Sequence, residues 1–119
     1  FSTRIENKHG GGVPDVHLVW DGLPFWLELK VSKGTRVNIS AHQIAWHMAY
    51  YARGGSSFFL VKRAKERDIV LFGGDQGPEV LEKGCSAPCV LRTCGPASLF
   101  EALRPILEAR VPAALRPAP

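Results

Sequence analysis

Two runs near the start of the chain alternate with the period of a β-strand. Val13 to Trp20 is rich in β-branched residues and ends at Asp21-Gly22, and Pro24 to Val31 follows it. An Asp-Gly pair between alternating runs predicts a tight β-hairpin. Ser32 to Asn38 is polar and contains Gly34, which predicts a loop. Ser40 then stands at an N-cap position before a helix from Ala41 to Arg53, closed by Gly54-Gly55. Ile44, Met48 and Tyr51, spaced by four and three, predict the apolar face of that helix. Ser57 to Lys62 reads as a buried strand, and Ile69 to Phe72 as another before Gly73-Gly74.

Residues 75–95 are rich in Gly, Pro and Cys and predict only a short helix near Glu79 to Glu82. Pro96 opens a last helix running to Arg110, with Leu99, Leu103, Ile106 and Leu107 on one side, and a loose Pro/Ala-rich tail starts at Pro112. No internal repeat is visible. The pattern predicts an α/β fold: a small mixed sheet with one helix packed across it and a C-terminal helix, in a single domain over residues 1–119.

Length and composition agree with that picture. A chain of 119 residues has room for one core. It is 45% hydrophobic, and no apolar stretch approaches the ~20 residues that span a bilayer, so no membrane partner is expected. Phe1 rather than Met at the start fits a processed or trimmed form. The first residues do not resemble a secretory signal, and a cytoplasmic home is expected.

Charge adds more. Fifteen Lys and Arg against eleven Asp and Glu give +4, and residues 1–62 hold seven cations against four acids, so +3 of the excess lies there. A basic excess favours a polyanionic partner. Cys85, Cys89 and Cys94 are an odd, late cluster without a CxxC, which argues against a disulfide framework and for reduced thiols; a structural zinc site is the lesser alternative.

The candidate chemistry lies on the second strand of the hairpin. Alternation puts Trp26, Glu28 and Lys30 on one side and Phe25, Leu27, Leu29 and Val31 on the other, the apolar side expected to pack on the 41–53 helix. A one-residue slip would bury Glu28 and Lys30, so the register is strongly specified. Asp15 starts the first strand, after Gly10-Gly11-Gly12, and folding the hairpin can bring it beside Glu28. Two adjoining carboxylates repel unless they share a proton or a divalent cation. Oxygen ligands suit Mg²⁺ or Mn²⁺, which keep waters that become better nucleophiles, and Lys30 can orient such a water or offset charge on a phosphorane-like transition state. That set of groups fits phosphodiester hydrolysis. The plain alternative for Glu28-Leu29-Lys30 is a solvated strand face with a weak ion pair.

Val13-Pro14-Asp15-Val16, then Trp26-Leu27-Glu28-Leu29-Lys30, then Ser40, Gln43, Trp46 and His47 together resemble the PD-(D/E)XK nuclease superfamily. Within it the chain looks most like the VRR-NUC branch, whose small stand-alone phage members resemble archaeal Holliday junction resolvases. Arg4-Ile5-Glu6-Asn7 and Gly10 to Gly12 match further features of that branch, and the likeness spans residues 4–62. Residues 63–111 would supply a further strand pair, an irregular segment and the C-terminal helix.

The resemblance implies that Asp15 and Glu28 bind the metal with the Leu29 carbonyl as third ligand, and that Lys30 is the catalytic lysine. It also implies that Glu6 lies near the metal, directly or through water, and that Gln43 helps to hold the site. Family members carry a fuller N-terminal helix before the position of Glu6, where only five residues remain here, so a short or trimmed helix is expected.

Lys8, Lys33 and Arg36 flank the site on predicted loops and are candidates for phosphate contacts. His47, four residues from Gln43, either contacts phosphate or the attacking water or is a partly buried His bonded to backbone. His17 shares the strand parity of Asp15 and could line the site, whereas His9 falls in a loop. Of the three Trp residues, Trp26 on the catalytic face is the one candidate for base stacking.

The expected function is a Mg²⁺- or Mn²⁺-dependent endonuclease acting on DNA. Selectivity for Holliday junctions or other branched DNA follows from the resemblance alone. The protein is expected as a homodimer, with the C-terminal helix a candidate interface, in a bacterial or phage-infected cell. The alternatives are a nuclease for flap or linear DNA, a nucleic-acid-binding module without catalysis, and a structural subunit in which Glu28-Leu29-Lys30 is incidental.

Overall fold

Three antiparallel strands open the chain: β1 (Ser2–Arg4), β2 (Val16–Trp20) and β3 (Leu23–Ser32). The computed structural model describes residues 2–4, 14–93 and 96–110, with 2–4, 96 and 97 described as backbone alone. Asp21 and Gly22 both take positive φ, 49° and 77°, the conformation of a two-residue hairpin turn whose twist matches its strands. Where a short or trimmed N-terminal helix was expected, residues 2–4 form a strand, with Arg4 opposite Val16.

After β3 the chain runs through a loop into α1 (Ala41–Ala52) and returns in β4 (Ser57–Arg63), which is parallel to β3. A helical crossover is what a parallel neighbour requires. Then come β5 (Ile69–Gly73), a 3-10 turn at Gly74–Gln76, α2 (Gly77–Lys83), β6 (Leu91–Thr93) and α3 (Pro96–Arg110). The six strands lie in sequence order, all pairs antiparallel except β3 with β4. The fold is therefore mixed α/β, with a mixed sheet between helices. Residues 75–93 are more ordered than their composition predicts: α2 lies where a short helix was expected, and β6 was not foreseen.

Each face of the sheet has its own core. On one side Val37, Ile39, Phe59, Val61, Val70, Phe72 and Val80 are buried, with Ile44 of α1 packed against them. On the other, Leu23, Phe25, Leu27, Phe58 and Leu71 meet Leu99, Leu103 and Leu107 of α3. This explains why Ser57 to Val61 and Ile69 to Phe72 read as continuous apolar runs: central strands covered on both faces have no solvent side to mark with polar residues.

Three expectations change. Of the apolar face of β3, Phe25 and Leu27 pack on α3, not on α1, while Leu29 and Val31 are exposed. The inner face of α1 is not the stripe Ile44, Met48 and Tyr51, since Met48 is 43% exposed while His47 is wholly buried. Both have one cause: the sheet face beneath α1 carries Trp26, Glu28 and Lys30, and α1 answers with Gln43, Trp46 and His47. Third, Leu99, Leu103 and Leu107 of α3, the stripe expected as a candidate dimer interface, are buried within the chain and close its core.

Candidate active site

The hairpin register decides which groups meet. Its last ladder pair is Val16 with Leu27, so β2 ends just before Glu28 and Asp15 lies alongside the strand beyond. The Leu29 N–H donates to Asp15 Oδ2 at 3.0 Å. In a strand the N–H and C=O of one residue turn to the same side, and Trp26 N–H donates to Ser56 O on the β4 side. Leu29, of opposite parity, therefore directs its carbonyl toward the side that β2 has vacated, beside Asp15.

Glu28 points under α1 and is 2% exposed, and its Oε1 has no hydrogen-bond partner. Lys30, two residues on along the same face, donates from Nζ to Gln43 Oε1 at 2.8 Å. That oxygen has a second task. It accepts from the Ser40 N–H at 3.0 Å while Ser40 Oγ accepts from the Gln43 N–H at 3.1 Å, the reciprocal capping box of α1. The start of the helix and the lysine are thus held by one side chain.

His47 lies behind Glu28. Its Nδ1 is 2.9 Å from Ser57 Oγ, and its Nε2, also without a hydrogen-bond partner, is 3.9 Å from Glu28 Oε1. A ring with 0% exposure does not touch DNA, so the phosphate-contact reading of His47 is corrected. The buried reading holds, with a serine hydroxyl as partner in place of backbone. Neither Ser57 nor its neighbour Gly74 was foreseen in the site. A Cβ on Gly74 would collide with Ser57 Oγ, so glycine there is what lets β4 present Ser57 to the ring.

Burial, and then the adjoining Asp15 carboxyl, push Glu28 up to about 8, with Lys30 opposing. Burial, and then Lys30, bring His47 down to about 4. At pH 7 both groups are neutral, so their contact is not an ion pair.

A pH dependence follows. From pH 4.5 to about 8 the folded protein keeps a Glu28 proton that the unfolded chain has released, and stability falls as pH rises. From pH 6.5 down to about 4 the unfolded chain holds a His47 proton that the folded protein lacks, and stability falls as pH drops. The slopes cancel where they overlap, leaving only the Glu28 slope between pH 6.5 and about 8. Thermal melts in EDTA should therefore show wild type losing stability over that interval relative to Glu28→Gln. A constant difference would mean that Glu28 is already ionised.

The remaining expected residues divide. Lys33 and Arg36 are exposed on the loop after β3. Glu6 and Lys8 lie outside the described residues, as do His9 and Cys94. His17 lies against Trp26 with the rings tilted by 37° and their centroids 4.6 Å apart, and Trp26 meets Trp46 edge-on at 5.6 Å, so the aromatic rings form a half-buried row beside the carboxylates. Cys85 is buried and Cys89 exposed, both as free thiols.

Among the described residues no group of three or more His, Cys, Asp or Glu is placed to hold a metal. The pair Asp15 and Glu28 nonetheless fits a hard divalent cation. A buried carboxylate oxygen without a partner, in a group whose pKa is raised by burial and further by a second carboxylate, is the environment such an ion relieves, and Mg²⁺ commonly takes one or two carboxylates and fills its shell with water. No protein-family model matches the chain, and no curated protein matches it.

Proposed function

We propose that the protein is a divalent-metal-dependent endonuclease of the PD-(D/E)XK kind, close to the VRR-NUC branch, hydrolysing DNA phosphodiester bonds. The observation that carries this reading is the Asp15 and Glu28 pair, with the Glu28 Oε1 buried and unpartnered. Lys30 on the same face, tethered to Gln43, supports it, as does the mixed sheet with α1 lying across the site face.

In this reading Asp15, Glu28 and the Leu29 carbonyl hold Mg²⁺ or Mn²⁺, with Glu6 nearby. The chemistry such an ion would supply there is Lewis-acid polarisation of the phosphate and activation of water for attack at neutral pH. Lys30 places a positive charge where negative charge builds on the phosphoryl oxygens. Gln43 fixes the position of that ammonium. His47 and Ser57 support Glu28 from behind and exclude water from that side, and Lys33 and Arg36 meet phosphates farther along the bound DNA.

Preference for four-way junctions or other branched DNA, and a setting in a bacterial or phage-infected cytoplasm, come from the resemblance. Symmetrical cutting of two strands takes two copies, joined by a surface other than the α3 stripe. The test is incubation with a labelled four-way junction, a flap, a linear duplex and a single strand, each with Mg²⁺, Mn²⁺ or EDTA. Cleavage is expected in either metal and not in EDTA. If all four substrates survive in both metals the enzyme reading fails, and binding without cleavage would leave the non-catalytic module.

A further inference from the structure

The loop after β3 and the turn between β4 and β5 are neighbours, because β3 and β4 run parallel and Ser32 is level with Arg63. The Ala64 N–H donates to Ser32 O at 2.7 Å, which locks the two segments together. The β4–β5 turn reads Lys62-Arg63-Ala64-Lys65-Glu66-Arg67-Asp68, and its acids are already engaged. Arg63 holds Glu66 at 3.0 Å and Asp68 at 3.6 Å, and Arg92 also holds Asp68. Lys65 and Arg67 are exposed and have no ion-pair partner among the described residues, nor have Lys33 and Arg36 across the gap. Lys33 and Lys65 line one cleft between the segments.

The loop after β3 is also fixed rather than loose. The buried Ser32 hydroxyl is shared between the carbonyls of Gly34 and Arg36, the Cys85 N–H donates to Thr35 O at 2.7 Å, and Val37 and Ile39 anchor the far end in the core. Four uncommitted cations on two tied segments form a ready-made polyanion surface, with little ordering entropy left to lose on binding.

We infer that Lys65 and Arg67 of the β4–β5 turn join Lys33 and Arg36 in a strip that tracks the phosphate backbone of duplex DNA leading away from the carboxylate pair. The inference rests on the proposed function for its partner and goes beyond it in assigning the β4–β5 turn to binding. The strip begins five residues along the chain from Glu28, about 16 Å at strand rise. That corresponds to roughly five nucleotides along a duplex at 3.4 Å per phosphate per strand. DNA seated at the carboxylates therefore meets the strip only if it continues as duplex for about that length on one side.

The test is fluorescence anisotropy of a labelled duplex in EDTA, where cleavage is blocked, over a range of salt concentrations. Lys65→Ala with Arg67→Ala should bind more weakly and flatten the slope of log affinity against log salt by about 2, close to one unit per lost phosphate contact. Arg53→Ala, an exposed cation at the far end of the sheet, serves as the control and should leave the slope unchanged. Melting temperatures confirm that the double variant is folded, as its two sites are exposed.

An unchanged slope in the double variant, with wild type still cutting DNA, overturns the strip and leaves the nuclease reading standing. A flattened slope in a protein that cuts nothing keeps the strip and removes the nuclease. Wild type that neither binds nor cuts DNA removes both.

Discussion

Lys30→Ala is expected to lower kcat for DNA cleavage by about 10²–10³-fold, the usual loss when one preorganised group facing the transition state is removed. Its Nζ is fixed at 2.8 Å from Gln43 Oε1 on the face that bears Glu28, so the charge is in place before substrate arrives. Binding in EDTA should change by no more than one phosphate contact, because the proposed strip places most of the binding cations elsewhere. Single-turnover cleavage of a labelled duplex or junction, together with anisotropy, separates the two effects. A variant that cuts at the wild-type rate removes Lys30 from the mechanism. One that loses binding and rate in proportion makes it a docking residue.

Leu103→Ala is expected to destabilise the fold by about 2–5 kcal/mol, since Leu103 is 1% exposed at the centre of the layer between α3 and the sheet. For a domain of this size that lowers the melting temperature by on the order of 10 °C. Urea unfolding at two protein concentrations checks the magnitude and also asks what α3 does. A large loss independent of concentration means that the stripe is intramolecular core. Unchanged stability with a weakened dimer would return α3 to the interface first expected of it.

The site was legible where chemistry and local pattern coincide. Glu28 and Lys30 share a face because strands alternate, and the Asp-Gly turn fixes which residues of the hairpin stand opposite one another, so Asp15 beside Glu28 could be read from spacing. Ser40 and Gln43 carried the signature of a capping box, three residues apart. Groups brought in by long-range packing were not legible. Ser57 reaches His47 only because β4 lies beside β3, and nothing near Ser57 in the sequence marks it as a partner for a histidine.

The choice of face for α1 was also hidden. Apolar periodicity selected Ile44, Met48 and Tyr51, but the ground beneath the helix carries Trp26, Glu28 and Lys30, and a polar and aromatic face complements it better. At such positions the hydrophobic pattern misleads because local rules yield to the site. The short strands β1 and β6, three residues each, are too brief to show periodicity and exist through pairing with β2 and β5.

Under the proposed function, the double duty of Gln43 would tie thermal motion to turnover. Terminal turns of helices open at far lower cost than whole domains, and the first turn of α1 is closed by the same amide oxygen that steadies the Lys30 ammonium. Each fraying of that turn releases the lysine, with the sheet and both cores still intact. Heat should therefore silence this protein before it melts it, and the margin between the two temperatures measures the strength of a single helix cap.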